Sequence, residues 1–423
     1  MEKGPYLPDF LKGELALTIK TETISTRMMQ FLYFSILISP WLPPIALLGT
    51  GIMALFSLRG KFPIKGWPET VFLGFIFLSI ISWFFNVSWF LSIPVVVFPV
   101  VLFGLYYLLA VWIKHLKWTW KKIEGLYIQF LFLGIYSAVV TILQRIGWIP
   151  SYKADWTIFL GYYPLLQSQS IRSVGFTTNS NLTAAILVCL ALISIYAMSV
   201  LDGKWKRAGA LGLFFLFGVA IWCTGSRGAW VGLIVGLLVQ VWMTGNRRRT
   251  VGILFGLLLL GIAAYINRNL IPRSETLVST AKVRLFVWEK AFEIFQDNWL
   301  VGVLPLHFGE VFEQYTGEYL YHAHNILLGV AAEYGIFGLI IFTALIFITL
   351  VRARRWRKMA VEKKEKRLAG MLSSLLVAMM GHGMYDYPII SPQVGILFML
   401  SIIFIHAQYE QKCLSLRQSE SRG

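Results

Sequence analysis

Three arginines and two histidines offer the plainest chemistry in this sequence. Arg172 opens the stretch Arg172-Ser-Val-Gly-Phe-Thr-Thr-Asn-Ser-Asn181, and Arg227 sits in Thr224-Gly-Ser-Arg-Gly228. Arg284 lies in a segment with Val283, Phe286, Val287, Ala291, Ile294 and Phe295 at helical spacing. A guanidinium stays charged at any relevant pH, and its planar fork of donors grips phosphate through two bonds at once. Brought together, these arginines suit a pyrophosphate carried on a lipid. Taken singly, each has a simpler reading, a side chain reaching lipid headgroups from a helix end.

The histidines stand in Tyr321-His-Ala-His-Asn325. Imidazole exchanges a proton near neutrality, so His324 beside a bound anion could act as base on a sugar hydroxyl. His322 and Asn325 would then be neighbouring substrate contacts. The same His-x-His could chelate zinc with Glu310, Glu313 or Glu318 as third ligand. A lone His-x-His is a weak metal signature, and no metal or other cofactor is expected. Glu333 follows His324 by nine residues, about 13 Å along a helix. An ionisable group at that depth is expensive and faces a cavity or a partner. Steps of about 100° put it roughly opposite His324, so those two are not paired. His382 and Asp386, four apart, would share one helix face as an orienting pair or a polar rim; the rim is the preferred reading.

What must position these residues follows from composition. Of 423 residues, 57% are hydrophobic and 14% charged, with a mean hydropathy of +0.67. A soluble domain carries about 25% charged residues. The chain is therefore read as an all-α integral membrane protein. Its apolar blocks are too long for barrel strands, which alternate over about ten residues. Twelve spans are expected, at 28–40, 42–58, 68–86, 88–113, 124–146, 180–200, 206–224, 227–244, 250–267, 325–351, 368–386 and 391–409. Pro40, Pro43 and Pro44 split the first block into a hairpin. Gly228, Gly232 and Gly236 form a small-residue seam for close helix contact, and Gly335 and Gly338 do the same for a later helix.

Lysine and arginine set the orientation. Most of the 38 basic residues fall in one set of polar segments, including Lys114 to Lys122, Lys204 to Arg207, Arg247 to Arg249 and Arg352 to Arg367. That side is read as cytoplasmic, with both termini on it. The other side keeps Arg145, Lys153, Arg172, Arg227, Arg268, Arg273, Lys282, Arg284 and Lys290. The net charge of +17 is thus a topology signal with attraction to anionic membrane lipid, and a nucleic-acid partner is not expected. Residues 1–27 form a cytoplasmic segment without a cleavable signal, 28–410 one membrane domain, and 411–423 a cytoplasmic tail. Two outward loops are long, 147–179 and 268–324, the second between the ninth and tenth spans. It contains an amphipathic helix at 281–297 that suits the outer interface. Cys189, Cys223 and Cys413 provide no disulfide framework.

The ordered motifs resemble the O-antigen ligase and polymerase superfamily of bacterial membrane glycosyltransferases. Four pieces carry the resemblance: Arg172…Gly175…Asn179-Ser180-Asn181, Gly225-Ser226-Arg227-Gly228, Arg284…Trp288 leading to Asn298-Trp-Leu-Val-Gly302, and His324-Asn325 before Gly335-Ile-Phe-Gly338. The similar stretch covers about 170–405. Asn-Ser-Asn departs from a pattern in which proline is common between the two amides. The resemblance implies metal-independent transfer of a glycan from undecaprenyl pyrophosphate to a glycan or lipid acceptor, at the outer face of the inner membrane. It implies that Arg172, Arg227 and Arg284 hold the pyrophosphate and that His324 is the base, with His322, Asn325 and Asn181 contacting substrate and Glu333 and Asp386 in support. The histidine motif favours the ligase over a polysaccharide polymerase. A small-anion transporter of bicarbonate type is the alternative from another class, and one buried glutamate beside an outward arginine–histidine set argues against it.

Overall fold

The computed structural model describes residues 9–58, 66–85, 93–149, 172–243 and 274–421, with a few positions between 251 and 267. Among the described residues all regular structure is helical. The helices are α1 (Asp9–Ile38), α2 (Leu42–Leu58), α3 (Trp67–Phe85), α4 (Ile93–His115), α5 (Trp120–Arg145), α6 (Ser180–Val200) and α7 (Lys204–Thr224). They continue with α8 (Arg227–Trp242), α9 (Leu277–Asp297), α10 (Phe308–Thr316), α11 (Ile326–Met359), α12 (Lys363–Gly383) and α13 (Pro392–Glu420).

Seven of the described helices, α3 to α7 with α11 and α13, are long and apolar enough to cross a membrane. The expected twelve are therefore not reached among the described residues. α2 and α8 are apolar but have 17 and 16 residues, about 25 Å at 1.5 Å each, against a hydrocarbon layer near 30 Å. α12 opens on Lys363, Lys364, Lys366 and Arg367, and its Ser373 and Ser374 are buried among neighbouring helices. The span expected at 250–267 and the larger part of the 147–179 loop, with Lys153, lie outside the described residues. The proline break does fall at 39–41, between α1 and α2. α1 begins at Asp9, however, so the segment before residue 28 is helical as well.

Hydrogen bonds and close contacts between helix ends fix which of them lie together. The start of α6, the end of α7 and the starts of α8, α11 and α13 thus meet at one end of the bundle, with the end of α12. Cross-links there are explicit: Ser173 N–H donates to Cys223 O, Asn325 Nδ2 to Met384 O, and Gln393 Nε2 to Phe176 O. The seam of small residues does what its spacing suggests. A Cβ on Gly232 would lie 2.6 Å from Ala378 O, and one on Gly236 would lie 2.8 Å from Ala378 Cβ. α8 and α12 are therefore in backbone-level contact, which fixes where Arg227 emerges.

The described part of the long loop before the histidines, from residue 274, is largely helical. It holds α9 and α10, whose Val287, Ala291, Ile294, Phe308 and Phe312 form a small separate core with Val303 and Ala332. The sequence assigns one apolar face to 281–297, but Val283 and Phe286 are exposed while Val287, Ala291 and Ile294 are covered.

α11 is broken at Gly335 (φ 66°, ψ −166°), so this glycine does not simply ease helix packing. The segment 299–304 enters the break. Val303 N–H donates to Ala332 O, Leu304 N–H to Glu333 O, and Ile336 N–H to Trp299 O. Backbone groups released by the break are thereby satisfied, as non-aqueous surroundings require. A Cβ at Gly335 would sit 2.4 Å from Leu300 C, and one at Gly302 would sit 2.3 Å from Glu333 C. Gly335→Ala combines that collision with a backbone region open essentially to glycine alone. It is expected to destabilise the protein by about 2 kcal/mol or more, read as a lowered thermal midpoint in detergent. An unchanged midpoint would show that the break tolerates a side chain.

Candidate active site

His324 stands immediately before the first turn of α11 with a left-handed backbone, φ 49°. Such a conformation is uncommon for a residue with a side chain, and neighbours hold it. Trp288 of α9 donates from Nε1 to His324 O at 3.2 Å, and His324 N–H donates to His322 Nδ1 at 3.2 Å. Asn325 caps α11, its Oδ1 accepting from Leu327 N–H and Leu328 N–H. The short amide proposed from sequence as a substrate contact thus has a structural duty, and its Nδ2 ties α11 to Met384.

Asp386 completes the arrangement. Helix α12 stops at Gly383, so His382 and Asp386 do not share a helix face, and Asp386 is buried, not on a rim. His324 Nδ1 and Asp386 Oδ1 are 3.0 Å apart, and Tyr387 N–H donates to the same oxygen at 2.9 Å. A carboxylate accepts only, so the proton lies on Nδ1 and the lone pair of His324 is left at Nε2. This is the tautomer a general base needs. Burial draws Asp386 toward its neutral form. The hydrogen bond from His324 and the nearby His322 and His382 outweigh that, holding the carboxyl well below its ordinary range.

His322 contributes differently. Its Nε2 is 3.9 Å from Asp386 Oδ1, and its ring meets that of His324 edge to face at 4.3 Å. Burial lowers its pKa to about 4, against the raising influence of Asp386, and His324 adds to the lowering. The ligand atoms of His322, His324 and Asp386 all lie within 4.8 Å of one another, so the carboxylate beside the histidines is Asp386 and not Glu310, Glu313 or Glu318. Yet His322 Nδ1 already accepts a backbone N–H, which puts its one proton on Nε2. A protonated Nε2 has no lone pair for a metal.

Beneath this layer Glu333 is fully buried, and its Oε2 accepts from Tyr387 OH at 2.8 Å. The Tyr387 ring lies on α11 where Gly329 makes room, since a Cβ there would fall 2.7 Å from Cε1. Glu333, Tyr387, Asp386 and His324 therefore form one connected series. Glu333 and His324 are indeed unpaired with each other, and the partner of Glu333 comes from a distant segment.

The arginines divide into two roles. Arg227 and Arg284 line one cavity of about 400 Å³ with Val231, Leu277, Trp288 and Tyr385. Arg284 also lies over the Tyr385 ring, its Cζ 5.9 Å from the centroid. Trp288 and Tyr385 bridge this cavity to His324 and Asp386. Arg172 instead donates from Nε to Thr224 O at 2.9 Å and from Nη2 to Asn181 Oδ1 at 2.6 Å. It clamps the 172–181 stretch to the α7–α8 corner, and Asn181 is taken up in that clamp. Tyr385 and Tyr387 escape sequence reasoning; the sole signal is their place on either side of Asp386.

Fold and site together define a helical multi-pass membrane protein with an arginine-lined cavity beside a histidine–aspartate pair. Residues 211–343 match the family model described as O-antigen ligase. That stretch contains Arg227, Arg284, His324 and Glu333, and its similarity supports membership of the O-antigen ligase superfamily. Comparison with curated proteins finds no match.

The shifts on His322 and Asp386 act in the same direction on stability. The unfolded chain protonates His322 below about pH 6.5, whereas the folded protein resists until about 4. Stability present at neutral pH is thus lost as pH falls through that window, and Asp386 extends the loss at lower pH. The thermal midpoint should fall between pH 6.5 and 4, and His322→Gln should flatten the fall. Equal slopes in the two proteins would remove His322 from this role.

Proposed function

We propose that this protein transfers a glycan from undecaprenyl pyrophosphate to an acceptor hydroxyl on the outer face of the bacterial inner membrane, as an O-antigen ligase. The observation that carries the reading is the convergence of Arg227 and Arg284 on one cavity whose Trp288 also holds His324. The pyrophosphate binds the two guanidinium forks, and the apolar wall of Val231, Leu277 and Leu285 takes the start of the prenyl chain. His324 Nε2 accepts the proton of the acceptor hydroxyl as that oxygen bonds to the anomeric carbon. The bond from that carbon to the phosphate oxygen breaks, and the electron pair leaves with the lipid pyrophosphate. Charge growing on the leaving group is met by guanidinium groups already in place, the form of stabilisation that contributes most in preorganised sites. Asp386 keeps the Nδ1–H tautomer and offsets the positive charge that His324 acquires. Glu333 holds Tyr387, and Arg172 holds the corner from which Arg227 projects. Both are positioning residues.

Arg227→Ala and His324→Ala, each folded, should lower transfer from a purified lipid-pyrophosphate donor by more than about 10²-fold. Arg227→Lys should lose most activity, because an ammonium cannot reproduce a planar two-point grip. Asp386→Asn should lose about 10²-fold or more by freeing the tautomer. Wild-type rates in both alanine variants would refute the site. Offered both a lipid-anchored core and a second lipid-linked chain, the enzyme should elongate the first; exclusive use of the second would make it a polymerase.

Metal dependence is tested separately. Activity should survive a chelator, and loss of activity restored by zinc would instead assign His322, His324 and Asp386 to a metal.

A further inference from the structure

The opposite end of the bundle holds a second cavity, of about 540 Å³, between α6, α7, α8 and α12. Arg207 and Arg367 line it with Ser199 and Gln240, while Leu237 and Met243 give it an apolar wall. Both guanidinium groups are fixed at the C-terminal end of α6, one on its last turn and one on the residue that follows it. Arg207 Nε donates to Leu201 O at 3.0 Å, and Arg367 Nη1 donates to Ser199 O. These bonds orient the forks without consuming them, because each guanidinium carries five N–H donors. Among the described residues no carboxylate lies within ion-pair distance of either; the nearby Asp202 pairs with Lys364 at 3.6 Å. Gln240 is already satisfied by Leu192 O and Ser374, and Tyr196 by Glu124. The arginines are thus the groups with capacity left for a ligand, and that ligand is an anion.

Its source follows from depth. Trp205 at the start of α7 is 80% exposed and Trp242 at the end of α8 is 58% exposed. Lys204 lies 5.7 Å from one indole ring and Arg354 lies 5.6 Å from the other. Exposed tryptophans paired with cations mark the headgroup level of a bilayer. This end also carries Lys204, Lys206, Lys363, Lys364 and Lys366, the density of basic charge that attracts anionic lipid. A phosphate at the two arginines, with acyl chains descending along Leu237 and Met243, uses every part of the cavity.

We propose that this cavity binds the phosphate of an anionic glycerophospholipid from the leaflet on the basic side of the protein. The site is distinct from the glycan-transfer site and does not rest on that function. The full-length protein, reconstituted in nanodiscs of phosphatidylglycerol and phosphatidylcholine, would be released for native mass spectrometry. The wild type should retain phosphatidylglycerol over phosphatidylcholine by roughly tenfold or more, as two arginines near a membrane surface allow. Arg207→Gln with Arg367→Gln should erase the preference, and the paired lysine variant, which keeps the charge and reports on folding, should retain most of it. Millimolar inorganic phosphate should not displace the lipid. The same preference in the glutamine variant would overturn the proposal. Displacement by inorganic phosphate would also overturn it, by assigning the cavity to a soluble anion.

Discussion

A 3.0 Å hydrogen bond between His324 Nδ1 and Asp386 Oδ1 joins the start of α11 to the segment after α12. Much of the site hangs on this contact. It decides which imidazole nitrogen carries the proton, and it aligns Tyr387 to reach Glu333 within α11. The peptide of His324 is turned into a left-handed conformation to make it, and Trp288 secures that turn from α9. Because Trp288 also lines the cavity of Arg227 and Arg284, one side chain connects His324 to that cavity.

The bundle separates two kinds of positive charge. At one end Arg227 and Arg284 line a cavity, where a dielectric lower than water's strengthens the interactions of each guanidinium. At the other end many lysines and arginines face the solvent and headgroups, with Lys114, Arg352, Glu69 and Glu410 paired at 2.7–3.0 Å between α3, α4, α11 and α13. His406 joins that network with Nδ1 facing Arg352 Nη1 and Nε2 facing Thr349. Since arginine only donates, this histidine is fixed with its proton on Nε2, a packing role unlike that of His324.

Helix termini set by local chemistry were legible. Pro40 and Pro43 end one helix and begin the next, and the glycines of α8 predict a close helix contact, which α12 makes; the caps that Asn179 and Asn325 form on α6 and α11 were not read from sequence. Gly335 misled because spacing cannot tell a packing glycine from one that breaks a helix. That depends on whether another segment, here 299–304, supplies the missing hydrogen bonds. The bonds of Arg172 to Asn181 and to Thr224 O were not legible either, because those acceptors come within reach only after the corner folds.

From sequence alone came the membrane-embedded helical character, the asymmetry of basic charge and the short list of arginines, histidines and acids worth considering. Those follow from composition and from periods of a few residues, which act over one or two helical turns. Tertiary structure alone decided which arginines share a cavity, that Asp386 pairs with a histidine 62 residues away, and that Tyr387 is the partner of Glu333. Such pairings depend on how distant helices pack, and nothing in local spacing encodes which buried donor will face which acceptor.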